Sequence, residues 1–214
     1  MVRPSVDTGV ILEAAAELVA ERGFDSVTMA AIAGRAGVAK GVLYLRFSNK
    51  DELLAAIVAH EAARATRRTA ELVEADPRGG MLSRLYVHSV TALHSRPALL
   101  RLYRGDPPHL ARVVRDRDGS RHRSRALLGA GFIRELQAEG MVDPSLDAGV
   151  LAANLALWSH GLAARAPHDD LEALILGMGE LVARAADTDV ADSTPGKRCF
   201  ARFAAALVRE GAPA

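Results

Sequence analysis

Apolar residues recur every three or four positions along most of this chain, which is the spacing of one face of an α-helix. The first such segment predicts a helix over residues 10–22. Its apolar stripe consists of Ile11, Ala15, Leu18 and Val19. Strict alternation of apolar and polar residues, the pattern of a half-buried strand, is not evident. The pattern therefore predicts an all-α fold.

Residues 28–47 predict two short helices separated by a tight turn. Thr28 is a favourable N-cap for the first helix, and Gly37 can adopt the left-handed conformation that ends it. In the second helix, Leu43 and Phe47 lie four positions apart, so they share its buried face. Two helices joined by a short glycine turn are typical of a helix-turn-helix.

The second helix, predicted over 40–47, leaves a largely polar face to solvent. The residues on that face are Lys40, Gly41, Val42, Tyr44 and Arg46. Residues 28–50 contain no acidic residue, although the net charge of the whole chain is only +1. The cations in this segment are Arg35, Lys40, Arg46 and Lys50. Such a basic patch attracts a phosphate backbone, and the alternative is a solvated helical pair without a nucleic-acid partner.

The stretch ILEAAAELVAERGFDSVTMAAIAGRAGVAKGVLYLRFSNKDELL occupies residues 11–54. It contains the core T-x-x-x-I-A-x-x-A-G-V followed by K-G-x-L-Y-x-x-F. With its flanks, residues 6–66, it resembles the DNA-binding domain of the tetracycline-repressor (TetR) family of transcriptional regulators. The chain departs from the family at Ala39, where serine is frequent, and at Arg46, where histidine or tyrosine is favoured. Ala39 leaves the second helix without a side-chain N-cap.

The resemblance implies a division of the chain and roles for individual residues. Residues 6–66 would form the helix-turn-helix DNA-binding domain, with its motif at 28–47. Residues 67–214 would form a helical domain for ligand binding and dimerisation. The residues that resemble the family's phosphate contacts are Thr28, Tyr44 and Lys50. Those at recognition-helix positions facing DNA are Lys40, Gly41, Val42 and Arg46, with Val42 expected against a thymine methyl group.

After the motif, the pattern predicts a long helix that leaves the DNA-binding domain, followed by a larger C-terminal helical bundle. These helices are predicted at 49–74, 81–95, 97–103, 107–115, 121–139, 144–165, 169–186 and 197–209. Asp143 and Pro144 are expected to be the N-cap and first residue of one of them. Residues 187–196, rich in Asp, Ser, Thr and Pro, are predicted to be a flexible loop.

Polar and aromatic residues of the C-terminal region are candidates for lining a cavity that binds a small, largely apolar effector. They are Tyr86, His88, His94, Tyr103, Asn154, Trp158, His160 and Met178. The resemblance also implies a homodimer joined by a four-helix bundle. The expected interface residues are Leu151, Leu155, Trp158, Phe200, Phe203 and Leu207. The alternative is that these apolar stripes fill the core of a single protomer.

Several other classes of protein are disfavoured. The single cysteine, Cys199, excludes an internal disulfide framework and suits a reducing cytoplasm. The longest apolar segment, around 148–158, is shorter than the roughly 18 residues that a membrane span needs. The sequence has no Glu-x-x-His pair, and His60-Glu61 lacks the second histidine of a zinc-protease motif. We therefore expect no catalytic residue, metal or cofactor.

The predicted function is that of a sequence-specific DNA-binding transcriptional regulator, a ligand-responsive repressor acting as a homodimer on a palindromic operator. Its partners would be double-stranded operator DNA, a second copy and an unidentified small-molecule effector, with no membrane. The alternative is a helical small-molecule-binding or scaffold protein without DNA-binding activity. The run from Arg112 to Arg125 has two possible interpretations. It is either a second site that binds an anion or, more in keeping with its self-repelling charges, a solvated loop and helix start.

Overall fold

The computed structural model describes residues 7–105, 128–165 and 167–211. Across these ranges the regular structure is helical, and the single extended pairing is a bridge between Val142 and Asp187. The helices, numbered in chain order, are α1 (Thr8–Arg22), α2 (Met29–Arg35), α3 (Lys40–Arg46), α4 (Lys50–Ala75), α5 (Leu82–His94), α6 (Pro97–Gly105), α7 (Ala130–Ala138), α8 (Ala148–Ala164), α9 (Leu171–Ala186) and α10 (Thr194–Gly211). The predicted all-α fold is confirmed.

Two hydrophobic clusters form the core. The N-terminal cluster is built from α1, α2, α3 and the first part of α4, together with Ala98 and Leu102 of α6. The C-terminal cluster is built mainly from α5, α7, α8, α9 and the start of α10. The long helix α4 contributes to both, since Leu53 and Ile57 lie in the first cluster and Val73 lies in the second.

Helix α6 also connects the two clusters. It packs against α1 on the N-terminal side and against α8 on the C-terminal side. Helix α5 packs between α4 and α9. Helix α10 packs against α4 and α7. The two clusters are therefore connected along two routes, α4 and α6. No helix within the described ranges is long and apolar enough to cross a membrane.

The segment 187–196 is held in place by the turn that follows α4. Ser193 is buried, and its hydroxyl donates to the carbonyl of Pro77 at 3.0 Å. A Cβ on Gly80 would lie 1.8 Å from the Ser193 carbonyl oxygen, and one on Gly196 would lie 2.0 Å from that of Gly80. The two backbones approach so closely that only glycine fits at these positions. Residues 187–193 form a loop, as predicted, and α10 begins at Thr194. The loop is packed rather than free, because it makes a long-range contact that does not appear in the local pattern.

The start of α8 also differs from the prediction. The Asp143 side chain accepts from the backbone of Ser145 at 2.8 Å and forms a local turn. Asp147 is the N-cap, accepting from the backbone of Gly149 at 2.7 Å and of Val150 at 2.8 Å. The helix therefore begins after Asp147. Residues 106–127 lie outside the described residues. They include the helix predicted at 107–115, the first part (121–127) of the helix predicted at 121–139, and the basic run Arg112–Arg125.

Candidate nucleic-acid interface

Helix α2 begins and ends as a helix-turn-helix requires. The Thr28 hydroxyl accepts from the backbone of Ala31 at 3.1 Å, so the predicted N-cap is confirmed. At the other end, Gly37 has a φ of 67°, the left-handed conformation that glycine adopts freely. The backbone N–H of Val38 donates to the Ala33 carbonyl at 3.0 Å, which closes the helix in a Schellman turn. This turn directs the chain into α3.

Helix α3 is held by its apolar side rather than by its N-terminus. Ala39 makes no side-chain capping bond, as expected for alanine at an N-cap. Leu43 and Phe47 are 0% and 4% exposed within the N-terminal cluster, which confirms the predicted buried face. The orientation of α3 is therefore set by these two side chains.

The opposite side of α3 is open to solvent. Lys40, Gly41 and Arg46 are exposed, as is Tyr44 at 46%. The Lys40 ammonium lies 5.8 Å from the centroid of the Tyr44 ring, close enough for a cation–π contact. Val42 is half-buried, so it presents less surface than predicted.

Leu45 belongs to the same exposed face, although it was not among the residues predicted to face DNA. It is 87% exposed, more than Tyr44 on the same helix. Its position two residues from both Leu43 and Phe47 could have identified it, because a residue two places along a helix points to the opposite side.

Lys50, at the start of α4, is a predicted phosphate contact that also has contacts within the protein. Its ammonium donates to the Asp25 carbonyl at 3.1 Å and lies 4.5 Å from the centroid of the Phe24 ring. These contacts join the start of α4 to the turn between α1 and α2. An ammonium has three donors, so others remain for a phosphate.

Arg35 is a weaker part of the basic patch than the sequence indicates. Its guanidinium donates to both carboxylate oxygens of Glu21 at 3.0 Å and to Glu17 at 3.1 Å, and both acids lie on α1. Hydrogen bonding to Glu21 raises the pKa of Arg35, and the same contact lowers the pKa of Glu21. The positive charge of Arg35 is thus compensated, and the segment 28–50 offers fewer free cations than it contains.

The candidate effector residues do not form one group in the structure. Tyr86 is fully buried, its hydroxyl is 3.1 Å from that of Ser159, and its ring centroid is 6.1 Å from that of Trp158. Burial raises the pKa of Tyr86, so it stays neutral and serves as a hydrogen-bonding group. Met178 and Trp158 pack against the C-terminal cluster. These residues share one apolar environment.

The other candidates lie elsewhere. His88 Nε2 is 2.8 Å from the Asp76 carboxylate at the end of α4. His94 Nδ1 donates to the Val90 carbonyl at 2.9 Å, and its buried Nε2 has no partner among the described residues. Asn154 is exposed and donates to the carbonyl of its own helix, as an amide facing solvent can. His160 is also exposed. The side chain of Tyr103 lies outside the described residues.

The predicted interface residues lie largely inside the protomer. Leu155 and Phe200 are 2% and 1% exposed, so they have almost no surface left to bury against a partner. Leu151, Trp158 and Phe203 pack partly buried against the same C-terminal cluster, and Leu207 is half-buried. For Leu155 and Phe200 the interface prediction was wrong, because these stripes complete the core of one chain.

The segment from α1 to the first turns of α4 matches a known protein family. Residues 11–57 match the model described as bacterial regulatory proteins, tetR family. The fatty acid metabolism regulator protein of Bacillus subtilis (strain 168) is 46% identical over 44 residues, which cover 21% of this chain and 23% of that protein. Curated relatives are matched over a third of their length or less.

Solved structures share the fold over most of the chain. A γ-butyrolactone receptor (ArpA like protein) aligns with a TM-score of 0.57 and 25% identity, over 94% of this chain and 96% of that one. The transcriptional regulator FadR from Bacillus subtilis, in complex with stearoyl-CoA, aligns with a TM-score of 0.61 and 21% identity, over 82% and 97%. The chain therefore carries a segment of the tetR family of bacterial regulatory proteins at residues 11–57, and over most of its length it has the fold of these solved structures.

Proposed function

We propose that this protein is a transcriptional regulator that binds double-stranded operator DNA through α2 and α3. The observation that carries the proposal is the exposed face of α3, where Lys40, Tyr44 and Arg46 stand out from a helix fixed by its buried side. Neither Lys40 nor Arg46 has a carboxylate partner among the described residues. Unpaired cations beside an exposed tyrosine are suited to phosphate oxygens. A scaffold protein has no need of such a face.

The division of labour along the chain is part of this proposal. The N-terminal cluster supports DNA binding by residues 6–66, and the C-terminal cluster supports a ligand-binding and dimerisation domain from 67 onward. The matched relatives are regulators rather than enzymes, and we propose that this chain likewise has no catalytic role. A protein that acts on the chromosome of a bacterium works in the cytoplasm.

The protein acts as a homodimer in this proposal. One helix-turn-helix reads only a half-site, and palindromic operators are matched by two-fold protein symmetry. Helix α8 contains no Asp, Glu, Lys or Arg, yet its Val150 and Leu157 are 61% and 72% exposed. On α9, Leu174 and Leu181 are 41% and 63% exposed. A helix that is apolar all round is normally covered, and a second copy would cover these stripes.

A small apolar effector is proposed to bind the C-terminal part and to lower DNA affinity, which makes the protein a repressor released by its ligand. A regulator with this fold, FadR of Bacillus subtilis, is described in complex with stearoyl-CoA, a ligand with a long apolar acyl chain and a charged coenzyme A part. The buried group around Tyr86, Trp158 and Met178 supports an apolar site in this region.

The two routes between the clusters supply the coupling. Helix α4 is continuous from Lys50 beside the DNA-binding face to Val73 in the C-terminal cluster. Helix α6 contacts both α1 and α8. If an effector moves either helix, the two recognition helices of a dimer no longer fit half-sites about 34 Å apart. A coupling of about 1–3 kcal/mol would then lower affinity several-fold to a hundredfold.

DNA binding is tested by retention of double-stranded DNA at increasing salt concentration. We expect affinity to fall steeply with salt because cations on the protein displace counterions from phosphates. Tyr44→Phe should weaken binding to all sequences alike, because a phosphate contact carries no base information. If the purified protein retains no double-stranded DNA at low salt, the proposal is wrong and the scaffold alternative stands.

Effector control is tested through the reciprocity of linked binding. Once an effector is identified by its ability to release operator DNA, its affinity is measured by calorimetry with and without saturating operator. Operator must weaken effector binding by the same factor by which effector weakens operator binding. An effector affinity unchanged by operator would contradict this mechanism and leave the C-terminal part with dimerisation alone.

A further inference from the structure

Leu45 lies at the centre of the exposed face of α3. It is 87% exposed, whereas Leu43 is fully buried and Phe47 is 4% exposed. Each residue advances about 100° around a helix, so Leu45 lies about 200° from both of those anchors. Its side chain therefore points directly away from the N-terminal cluster, toward whatever α3 binds.

Gly41 leaves the surface beside Leu45 unusually open. A helical side chain leans toward the N-terminus, over the residue four positions earlier, and for Leu45 that residue is Gly41. Apart from Gly41 itself, its two chain neighbours and the nearby backbone of α3, no heavy atom of the described residues lies within 4 Å of the place that a Cβ on Gly41 would occupy. The isobutyl group of Leu45 thus borders a strip of bare helix backbone, which another molecule can approach closely.

Polar residues flank this apolar strip on both sides. Lys40 and Tyr44 lie along one edge, in cation–π contact at 5.8 Å, and Arg46 lies along the other. A helix seated in the major groove meets phosphates at its edges and base edges along its centre. The cations are thus placed for phosphates, and Leu45 is placed for a base.

We propose that Leu45 is a specificity-determining residue that packs against the 5-methyl group of a thymine in each operator half-site. This inference rests on the proposed function. A leucine side chain has no hydrogen-bonding atom, so the feature it can recognise in the major groove is the thymine methyl group. Val42 was predicted to make this contact, but it is half-buried and lies beside the strip. The half-site therefore contains a thymine opposite the Leu45–Gly41 strip.

The test removes the methyl group from the DNA and the isobutyl group from the protein, separately and together. High-affinity duplexes are selected with the full-length protein from a randomised palindromic pool, and each thymine of the half-site is then replaced by uracil. Burial of one methyl group corresponds to about a fourfold change in affinity, so one position should lose about fourfold for each half-site changed. Uracil at the other thymines serves as the control.

The matched variants are Leu45→Ala and Leu45→Met. Leu45→Ala should bind the thymine and uracil duplexes with equal affinity, while Leu45→Met, which keeps an apolar side chain of similar reach, should retain the preference. Both variants should fold, because Leu45 makes no core contact at 87% exposure. Circular dichroism and urea denaturation check this.

The outcomes separate this inference from the function on which it rests. If DNA is selected but no uracil substitution discriminates between the wild type and Leu45→Ala, Leu45 does not read a methyl group and the inference is wrong, while DNA binding stands. If no duplex is enriched from the pool, the proposed function fails and the inference fails with it.

Discussion

Arg96, in the turn between α5 and α6, donates two hydrogen bonds to the carboxylate of Glu61 on α4. The distances are 2.9 Å from Nε to Oε2 and 2.5 Å from Nη2 to Oε1. The Glu61 side chain is 2% exposed and that of Arg96 is 22% exposed. This bidentate ion pair fastens the start of α6 to the middle of α4, between the two hydrophobic clusters.

Loss of Arg96 should be strongly destabilising. Arg96→Met leaves the Glu61 carboxylate buried without a partner, which typically costs about 3–5 kcal/mol. The double variant Glu61→Leu/Arg96→Met removes both charges, and its free energy of unfolding should recover most of that loss. Urea denaturation measures each value.

The exposed pair Arg68–Glu71 on the same helix is the control. Its side chains are 56% and 64% exposed, so Arg68→Met should change stability by about 0.5 kcal/mol or less. In the folded double variant, effector and operator should be less strongly coupled, because the link between α4 and α6 is weakened. A double variant as unstable as Arg96→Met would show that the apolar pair does not fit the site.

Arg35 and Arg46 should differ in their contribution to DNA binding. Arg46→Ala should reduce the slope of log affinity against log salt by about 0.9 for each phosphate that Arg46 neutralises. Arg35→Ala should leave that slope almost unchanged, because Glu17 and Glu21 already compensate its charge. Filter binding over a range of salt concentrations measures both slopes.

A further variant tests the same explanation from the opposite direction. Glu17→Gln/Glu21→Gln should uncover the charge of Arg35 and strengthen binding to DNA of any sequence. If Arg35→Ala reduced the salt slope as much as Arg46→Ala does, the Arg35 side chain would have to leave Glu17 and Glu21 to contact DNA.

Dimerisation should depend on the outer faces of α8 and α9. In the protomer, Leu157 is 72% exposed and Leu181 is 63% exposed. Leu157→Glu and Leu181→Glu each replace one of these apolar side chains with a charged one. The protomer should still fold, but a carboxylate buried at the interface without a partner should prevent association. Size-exclusion chromatography with light scattering should therefore report a monomer, and operator affinity should fall.

Val10→Glu provides the matched control for that experiment. Val10 is also an exposed apolar residue, at 49%, but it lies on α1 in the N-terminal part of the chain. This variant should keep the wild-type oligomeric state. If Leu157→Glu and Leu181→Glu both remain dimers, the proposed interface is wrong.

Asp187 should make stability depend on pH. Its carboxylate accepts hydrogen bonds from the backbone and hydroxyl of Ser83 at the start of α5, but burial dominates and raises its pKa above 3.8. The folded state therefore binds this proton more tightly than the unfolded state does. The resulting stabilisation is fully present below the unfolded pKa and is lost as pH rises through the folded pKa.

The variant Asp187→Asn should stay neutral and keep a partner for Ser83. Its free energy of unfolding should increase relative to that of the wild type as pH rises from about 4 to 7, because only the wild type loses a proton from position 187. Asp143→Asn should show the opposite sign and at lower pH, because hydrogen bonds from Ser145 lower the pKa of Asp143. The stabilisation from Asp143 is lost as pH falls through that lowered pKa, so the wild type should lose its advantage over Asp143→Asn only on acidification below about pH 4. Urea denaturation at several pH values measures both differences. If the difference in free energy of unfolding between Asp187→Asn and the wild type did not change with pH, the raised pKa of Asp187 would be wrong.

Local patterns predicted the helix-turn-helix in detail. The Thr28 cap, the Gly37 turn and the buried pair Leu43 and Phe47 all lie within a few residues of the groups they contact. Helix caps, turns and i, i+4 pairs depend on neighbours in sequence, so they can be read from it. The all-α class followed from the same periodicity.

Tertiary packing decided the features that join distant parts of the chain. The sequence contains no sign that Glu17 and Glu21 neutralise Arg35, or that Glu61 and Arg96 form a buried pair 35 residues apart. Likewise, periodicity marks an apolar stripe but not its partner, so Leu155 and Phe200 were assigned to a dimer interface when they fill the protomer core. An amphipathic pattern determines that one face of a helix is buried. The packing of the helices determines which residues cover that face.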